Sequence, residues 1–245
     1  MARFVLVHGA FGGAWAWADM ASELESFGHE ALAIDLPGGG DDRTPIEGVT
    51  LESCAQRVRE ALEAWAEPSI LVGHSMGGVV ITQAATLCPE RVALLVFIAA
   101  FMPGDGQSLL DLTKLPEGAG DQVQANITVE GDPPVAKRGP GMGAATAQNL
   151  TPEQLAYAEE HYRDQAVAVF ATPVSIPPGA LDAIKRVYVH TTEDRAIPPA
   201  LQQRMMRENP CVEVVELATD HAPNFSMPTE LLAALLSFAD LASTV

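Results

Sequence analysis

Basic residues are scarce in this 245-residue chain: 14 Lys and Arg stand against 32 Asp and Glu, a formal net charge of -18 at pH 7. That balance repels nucleic acid and anionic membrane surfaces, so neither is expected as a partner; it favours solubility and identifies no substrate. Cysteine is scarcer still. Cys54, Cys88 and Cys211 are odd in number and widely spaced, which argues against a disulfide framework or a Cys-x-x-Cys metal site and leaves them as reduced, packed thiols. The longest apolar run, Val92 to Met102, is too short to span a bilayer. A first strand beginning at Phe4 leaves no room for the basic and apolar parts of a signal peptide, so a cytoplasmic location is expected.

What the chain does contain is alternation. Apolar, β-branched runs at Phe4–Val7, Ala31–Ile34, Ile70–Val72, Val92–Ala99, Val187–Val189 and Val212–Leu217 predict about six strands. Between most of them lie helical patterns at Trp15–Phe27, Leu51–Trp65, Gly78–Leu87, Pro199–Glu208 and Thr229–Leu241. Strand followed by helix implies right-handed βαβ crossovers, hence an α/β fold with a mainly parallel sheet covered on both faces. The length suits one domain, 1–245.

The alternation breaks between about Pro103 and Leu181, where Gly and Pro cluster in Gly131-Asp132-Pro133-Pro134, Gly139-Pro140-Gly141 and Pro177-Pro178-Gly179. One clear helix starts there, at Thr151-Pro152-Glu153-Gln154, with capping-box spacing and Pro at its first position. Residues 103–181 are therefore expected to be a cap inserted after the fourth strand, over the carboxyl ends of the strands where open α/β sheets bind ligands.

Gly73-His74-Ser75-Met76-Gly77 follows a buried-type strand and precedes a helix. A serine hydroxyl is a poor nucleophile unless it is held proud of the fold beside a base, and a tight strand-to-helix turn does that. Ser75 is the candidate nucleophile, and the Met76 N–H at the helix start is a candidate oxyanion donor. A second donor is expected from His8-Gly9-Ala10-Phe11-Gly12-Gly13 after the first strand, with Ala10 the candidate; the Gly-x-Gly-x-x-Gly spacing of a dinucleotide site is absent there.

Among the histidines, His29 and His161 lie in polar stretches, His190 sits within a strand, and His74 is adjacent to Ser75 in a tight turn and should point elsewhere. His221, in the loop between the last strand and the last helix, is the candidate base. The acid must come before it, at a neighbouring strand end. Asp194 fits best, with Glu193, Asp105 and Asp220 as alternatives. Phe11, Met76, Phe101, Met102 and Phe170 are candidates for an apolar pocket under the cap.

The chain resembles the plant methylesterase and hydroxynitrile lyase group of α/β-hydrolases, with its bacterial esterase relatives. The resemblance runs through Phe4-Val5-Leu6-Val7-His8-Gly9-Ala10, Gly13-Ala14-Trp15-Ala16-Trp17, Val72-Gly73-His74-Ser75-Met76-Gly77-Gly78, Val96-Phe97-Ile98-Ala99-Ala100-Phe101-Met102-Pro103, Lys185-Arg186-Val187-Tyr188, Thr192-Glu193-Asp194 and Asp220-His221. It implies Ser75 as nucleophile, Asp194 as acid, His221 as base, and Ala10 and Met76 as oxyanion donors. The lyase branch is similar but carries Thr where this chain has Gly9 and Lys where it has Ala222, and both departures favour ester hydrolysis. The resemblance implies acyl transfer on a small ester, with no metal or organic cofactor. The rivals are carbamate or amide hydrolysis, cyanohydrin cleavage, and a ligand-binding receptor on the same fold. The oligomeric state stays open, a homodimer included.

Overall fold

The six apolar runs become the six strands of one sheet. The computed structural model describes residues 1–242; residues 243–245, the end of the expected domain, lie outside the described residues. The chain opens with β1 (Arg3–Val7), α1 (Ala18–Ser26), β2 (Glu30–Ile34), α2 (Leu51–Glu63), β3 (Ser69–His74), α3 (Gly77–Leu87) and β4 (Val92–Ile98). There follow α4 (Leu109–Thr113), β5 (Ile127–Glu130), β6 (Val135–Arg138), α5 (Met142–Thr146), α6 (Pro152–His161), β7 (Gln165–Ala166) and α7 (Val167–Ala171). It closes with β8 (Arg186–Thr191), α8 (Pro199–Glu208), β9 (Glu213–Leu217), α9 (Pro223–Ser226) and α10 (Pro228–Ala242).

The large sheet has the order β2-β1-β3-β4-β8-β9, and every neighbouring pair is parallel. Side chains alternate across it, as the two-residue period of a strand requires. Val5, Leu71, Leu95 and Tyr188 face one buried cluster with Val58, Val80 and Met205. Phe4, Ile70, Leu94 and Val187 face the other with Leu24, Leu235 and Phe238. Burial on both faces explains why these strands read as continuous apolar runs. The strand order reverses between β1 and β3, so the crevice at their carboxyl ends is where this topology favours a ligand site.

Three elements depart from expectation. The pattern at Trp15–Phe27 opens as a 3-10 turn over Ala14–Trp17 and turns α-helical only from Ala18, after Gly13 in extended backbone. The fourth strand stops at Ile98, because Ala99 takes a left-handed φ of 43°. Between β4 and β8, where one helix is legible, the chain also forms short α4, α5 and α7 and an antiparallel sheet β5-β6-β7. The legible helix, α6, has its expected box: Thr151 Oγ1 accepts the Gln154 N–H at 3.2 Å and Gln154 Oε1 accepts the Thr151 N–H at 2.9 Å. Among the described residues, no helix is long and apolar enough to cross a membrane.

Candidate active site

Ser75 sits between β3 and α3 with a left-handed φ of 54°, a conformation costing a non-glycine residue about 1–3 kcal/mol. The turn around it is tied on both sides. Its N–H donates to the Ile98 carbonyl at 3.3 Å, and its carbonyl accepts the Gly78 and Phe101 N–H groups at 3.1 Å each. Glycine is needed where backbones meet: a Cβ on Gly73 would lie 2.7 Å from the Gly77 carbonyl oxygen, and one on Gly77 would lie 2.9 Å from those of Val7 and His8. The other non-glycine residues with positive φ among those described, Phe11 and Ala99, follow β1 and β4. Positive φ is thus found after the carboxyl ends of three adjacent strands, β1, β3 and β4.

His221 Nδ1 lies 2.8 Å from Asp194 Oδ2, and both side chains are buried. Asp194 is held by four further donors. Its Oδ1 accepts the Ala196 and Ile197 N–H groups at 2.7 and 2.9 Å, and its Oδ2 accepts Thr191 Oγ1 and Gln202 Nε2, each at 3.0 Å. Burial disfavours a charged imidazole, but the charge and hydrogen bond of Asp194, helped by Asp220 and Asp121, outweigh it. The pKa of His221 is therefore raised from the ordinary 6.5.

The other acids have different surroundings. Asp220 is fully buried and committed elsewhere: its Oδ1 accepts Ser226 Oγ at 2.8 Å and the Ala222 N–H at 3.1 Å, and its Oδ2 accepts the Asn149 N–H at 2.8 Å. Asp105 is exposed and accepts the Ile176 N–H at 2.8 Å. Glu193 is exposed on the loop beside Asp194.

His74 is closer to this machinery than its sequence position suggests. Its Nε2 donates to the His221 carbonyl at 2.7 Å, and the two rings are 4.7 Å apart. Burial and the neighbouring His221 push its pKa down to about 3, so it stays neutral near pH 7. His190 is packed, 3.2 Å from Glu216 Oε1. His29 and His161 are half-buried, with ring nitrogens on the Ala2 N–H and the Tyr157 carbonyl respectively.

Sequence reasoning gave His8 no role of its own. Its Nδ1 donates to the Gly9 carbonyl at 2.7 Å and its Nε2 accepts the Leu36 N–H at 3.1 Å, so a neutral imidazole braces the loop after β1. Within that loop the Phe11 N–H is taken by Gln165 Oε1 at 3.3 Å. The Ala10 and Met76 N–H groups, by contrast, donate to no protein acceptor among the described residues. Ala10 and Met76 line the same cavity as Ser75.

Ser75 and His221 line one cavity of about 190 Å³, walled largely by apolar side chains that include Phe11, Met76, Phe101 and Phe170. Met102 is not part of that wall. Its side chain is buried in the core beside Met205, whose sulfur accepts the Met102 N–H at 3.2 Å. Asp121, Arg138 and Trp15 also line the cavity and were not singled out from sequence.

Residues 4–235 match the model of the Alpha/beta hydrolase family, and the chain belongs to that family. Methylesterase 7 of Arabidopsis thaliana is 35% identical over 97% of this chain and 96% of its own length. Alpha-hydroxynitrile lyase of the same plant is 32% identical over 97% of this chain and 96% of its own length. Among solved structures, a pyrethroid hydrolase from Sphingobium faniae JZ-2 superposes with a TM-score of 0.89 at 26% identity, covering 100% of this chain and 99% of that one.

Proposed function

We propose that this chain is a serine esterase that hydrolyses small, mainly apolar carboxylic esters through an acyl-enzyme. His221 Nε2 takes the Ser75 hydroxyl proton as Oγ attacks the ester carbonyl carbon. The charge that develops on the carbonyl oxygen is met by the Ala10 and Met76 N–H groups. Collapse expels the alcohol, which receives the proton from His221, and water then attacks the acyl-serine by the same route to release the acid. Asp194 fixes the imidazole and stabilises its charged form. No step requires a metal or organic cofactor.

The observation that carries this reading is the buried His221–Asp194 pair at 2.8 Å, in one cavity with a strained serine at a strand-to-helix turn. The apolar wall supports small apolar esters, and a name such as methylesterase on a relative of nearly equal length agrees with it. The three cysteines are free thiols, which supports a reducing, cytoplasmic setting.

The lyase relative makes cyanohydrin cleavage the rival reaction. Two positions weigh against it. Ala222 has no charge to offer a departing cyanide, and a Cβ on Gly9 would stand 2.9 Å from Ser75 Cβ, so the threonine of the lyase branch does not fit this backbone without displacement. The test is a panel of aryl, methyl and alkyl esters with mandelonitrile and a carbamate included. Steady release of nitrophenol from a short acyl ester, with no cyanide above the uncatalysed rate, is expected; enzymatic cleavage of mandelonitrile with every ester ignored would overturn the proposal.

A further inference from the structure

The cavity wall is not uniformly apolar, and two of its polar side chains, Arg138 and Trp15, have no part in the chemistry at Ser75. Arg138, at the end of β6, has a side chain only 12% exposed, and its Nη2 donates to Glu159 Oε1 at 2.8 Å. Its guanidinium carbon lies 3.6 Å from the centre of the Tyr162 ring and 5.8 Å from that of Phe11. Trp15 packs against the same Tyr162, with ring centres 5.4 Å apart. Arg138 Nε and Trp15 Nε1 are both buried donors without an acceptor, and both residues line the cavity that holds Ser75 and His221.

Native proteins leave few buried donors unpaired, and each such donor calls for an explanation. Pinning β6 to α6 explains the bond from Nη2 to Glu159. It explains neither Nε nor the indole N–H, which gain nothing from that pair.

We propose that Arg138 and Trp15 form a second binding point for substrate, holding an uncharged oxygen acceptor, such as a ketone or second ester carbonyl, away from the ester that Ser75 attacks. The inference rests on the esterase reading and narrows it to esters carrying a remote acceptor. Charge decides the class of acceptor. Glu159 already neutralises the guanidinium, and Asp121 lines the same cavity, so a substrate carboxylate would be buried near two acidic side chains with no unpaired cation to meet it. A neutral oxygen needs only the two donors.

The experiment uses methyl esters of straight-chain acids bearing a ketone at successive carbons. Each is paired with the plain ester of the same length and with a half-ester ending in carboxylate. At one spacing the wild-type kcat/KM for the oxo-ester should exceed that of its plain partner by about tenfold or more, mostly through KM, with the carboxylate the poorest of the three. That ratio should fall to near one in Arg138→Met and drop severalfold in Trp15→Phe, so the second variant decides the matter if the first does not fold. A ratio near one at every spacing, a ratio that survives Arg138→Met, or preference for the carboxylate would overturn the inference. Calorimetric titration with a dione and its matched monoketone reads the same point without turnover, and about tenfold tighter binding of the dione is expected, lost in Arg138→Met. Equal binding of the two ketones would count against the second point, whereas absence of all ester turnover would count against the esterase reading alone.

Discussion

The ends of the parallel sheet and the segment between β4 and β8 face each other across one cavity, yet they are built in different ways. The sheet ends are over-determined: Asp194 accepts from five donors, the Ser75 turn is closed by three backbone hydrogen bonds, and neutral histidines brace the loops on either side. The cap side has short elements, strands of two to four residues, and in Arg138 Nε a buried donor with nothing to bond. A catalytic constellation gains from such rigid support, whereas a surface that selects among substrates can vary without disturbing it. On the proposed function, the reaction belongs to the sheet ends and the choice of substrate mainly to the cap side.

The largest expected effects lie at the sheet ends. Ser75→Ala and His221→Ala should each lower kcat by about 10⁴-fold or more on every ester, and the double variant should be no worse than either, because residues acting as a unit do not add. Steady-state rates with active-site titration check this; a loss confined to one ester would erase the division between the two regions. Next comes the acid. Asp194→Asn should cost about 10²-fold or more in kcat, and Asp220→Asn less than about tenfold, since Asp220 is spent on Ser226, Ala222 and Asn149. The reverse order would move the acid.

Smaller, and sharper, is the pH profile. The free imidazole is the active form, so kcat/KM should fall as pH drops through the His221 pKa, and this limb should lie above the ordinary 6.5. In Asp194→Asn the main causes of the upward shift are gone while burial remains, so the limb of the residual activity should move down. Asp121→Asn, on the cap side, should move it in the same direction by less, because Asp121 is the weakest of the named contributors. An unmoved limb in Asp194→Asn would mean that another group titrates there. His74, held neutral at a pKa of about 3, should add no limb near neutrality.

The same two regions differ in how far they could be read from sequence. Val5, Leu71 and Val96 lie in strands buried on both faces, so composition alone marked them, and the parallel order followed from helices between strands. Ser75 was legible because its context is local, and the place of His221 at a strand-end loop came from the order of the chain. The antiparallel hairpin of β5 and β6 was not legible. Its strands are four residues each, partly exposed, and joined by Gly131-Asp132-Pro133-Pro134, whose breakers looked like loop rather than turn. Nor could local pattern show that Gln202 holds Asp194, that His74 supports His221, or that Arg138 stacks on Tyr162, because each contact joins residues from different elements. Met102 was misread for the same reason: an apolar residue near the site can face the core or the cavity, and only the backbone decides.

On the proposed mechanism, Ser75 is activated by His221 at the sheet ends. The direct test is to treat the wild type and His221→Ala with a fluorophosphonate, measure intact mass and map the modified peptide. One adduct per chain on Ser75 in the wild type, formed at least about 10³-fold more slowly in His221→Ala, is the predicted result. An adduct on another residue, or equal labelling rates in the two proteins, would contradict it.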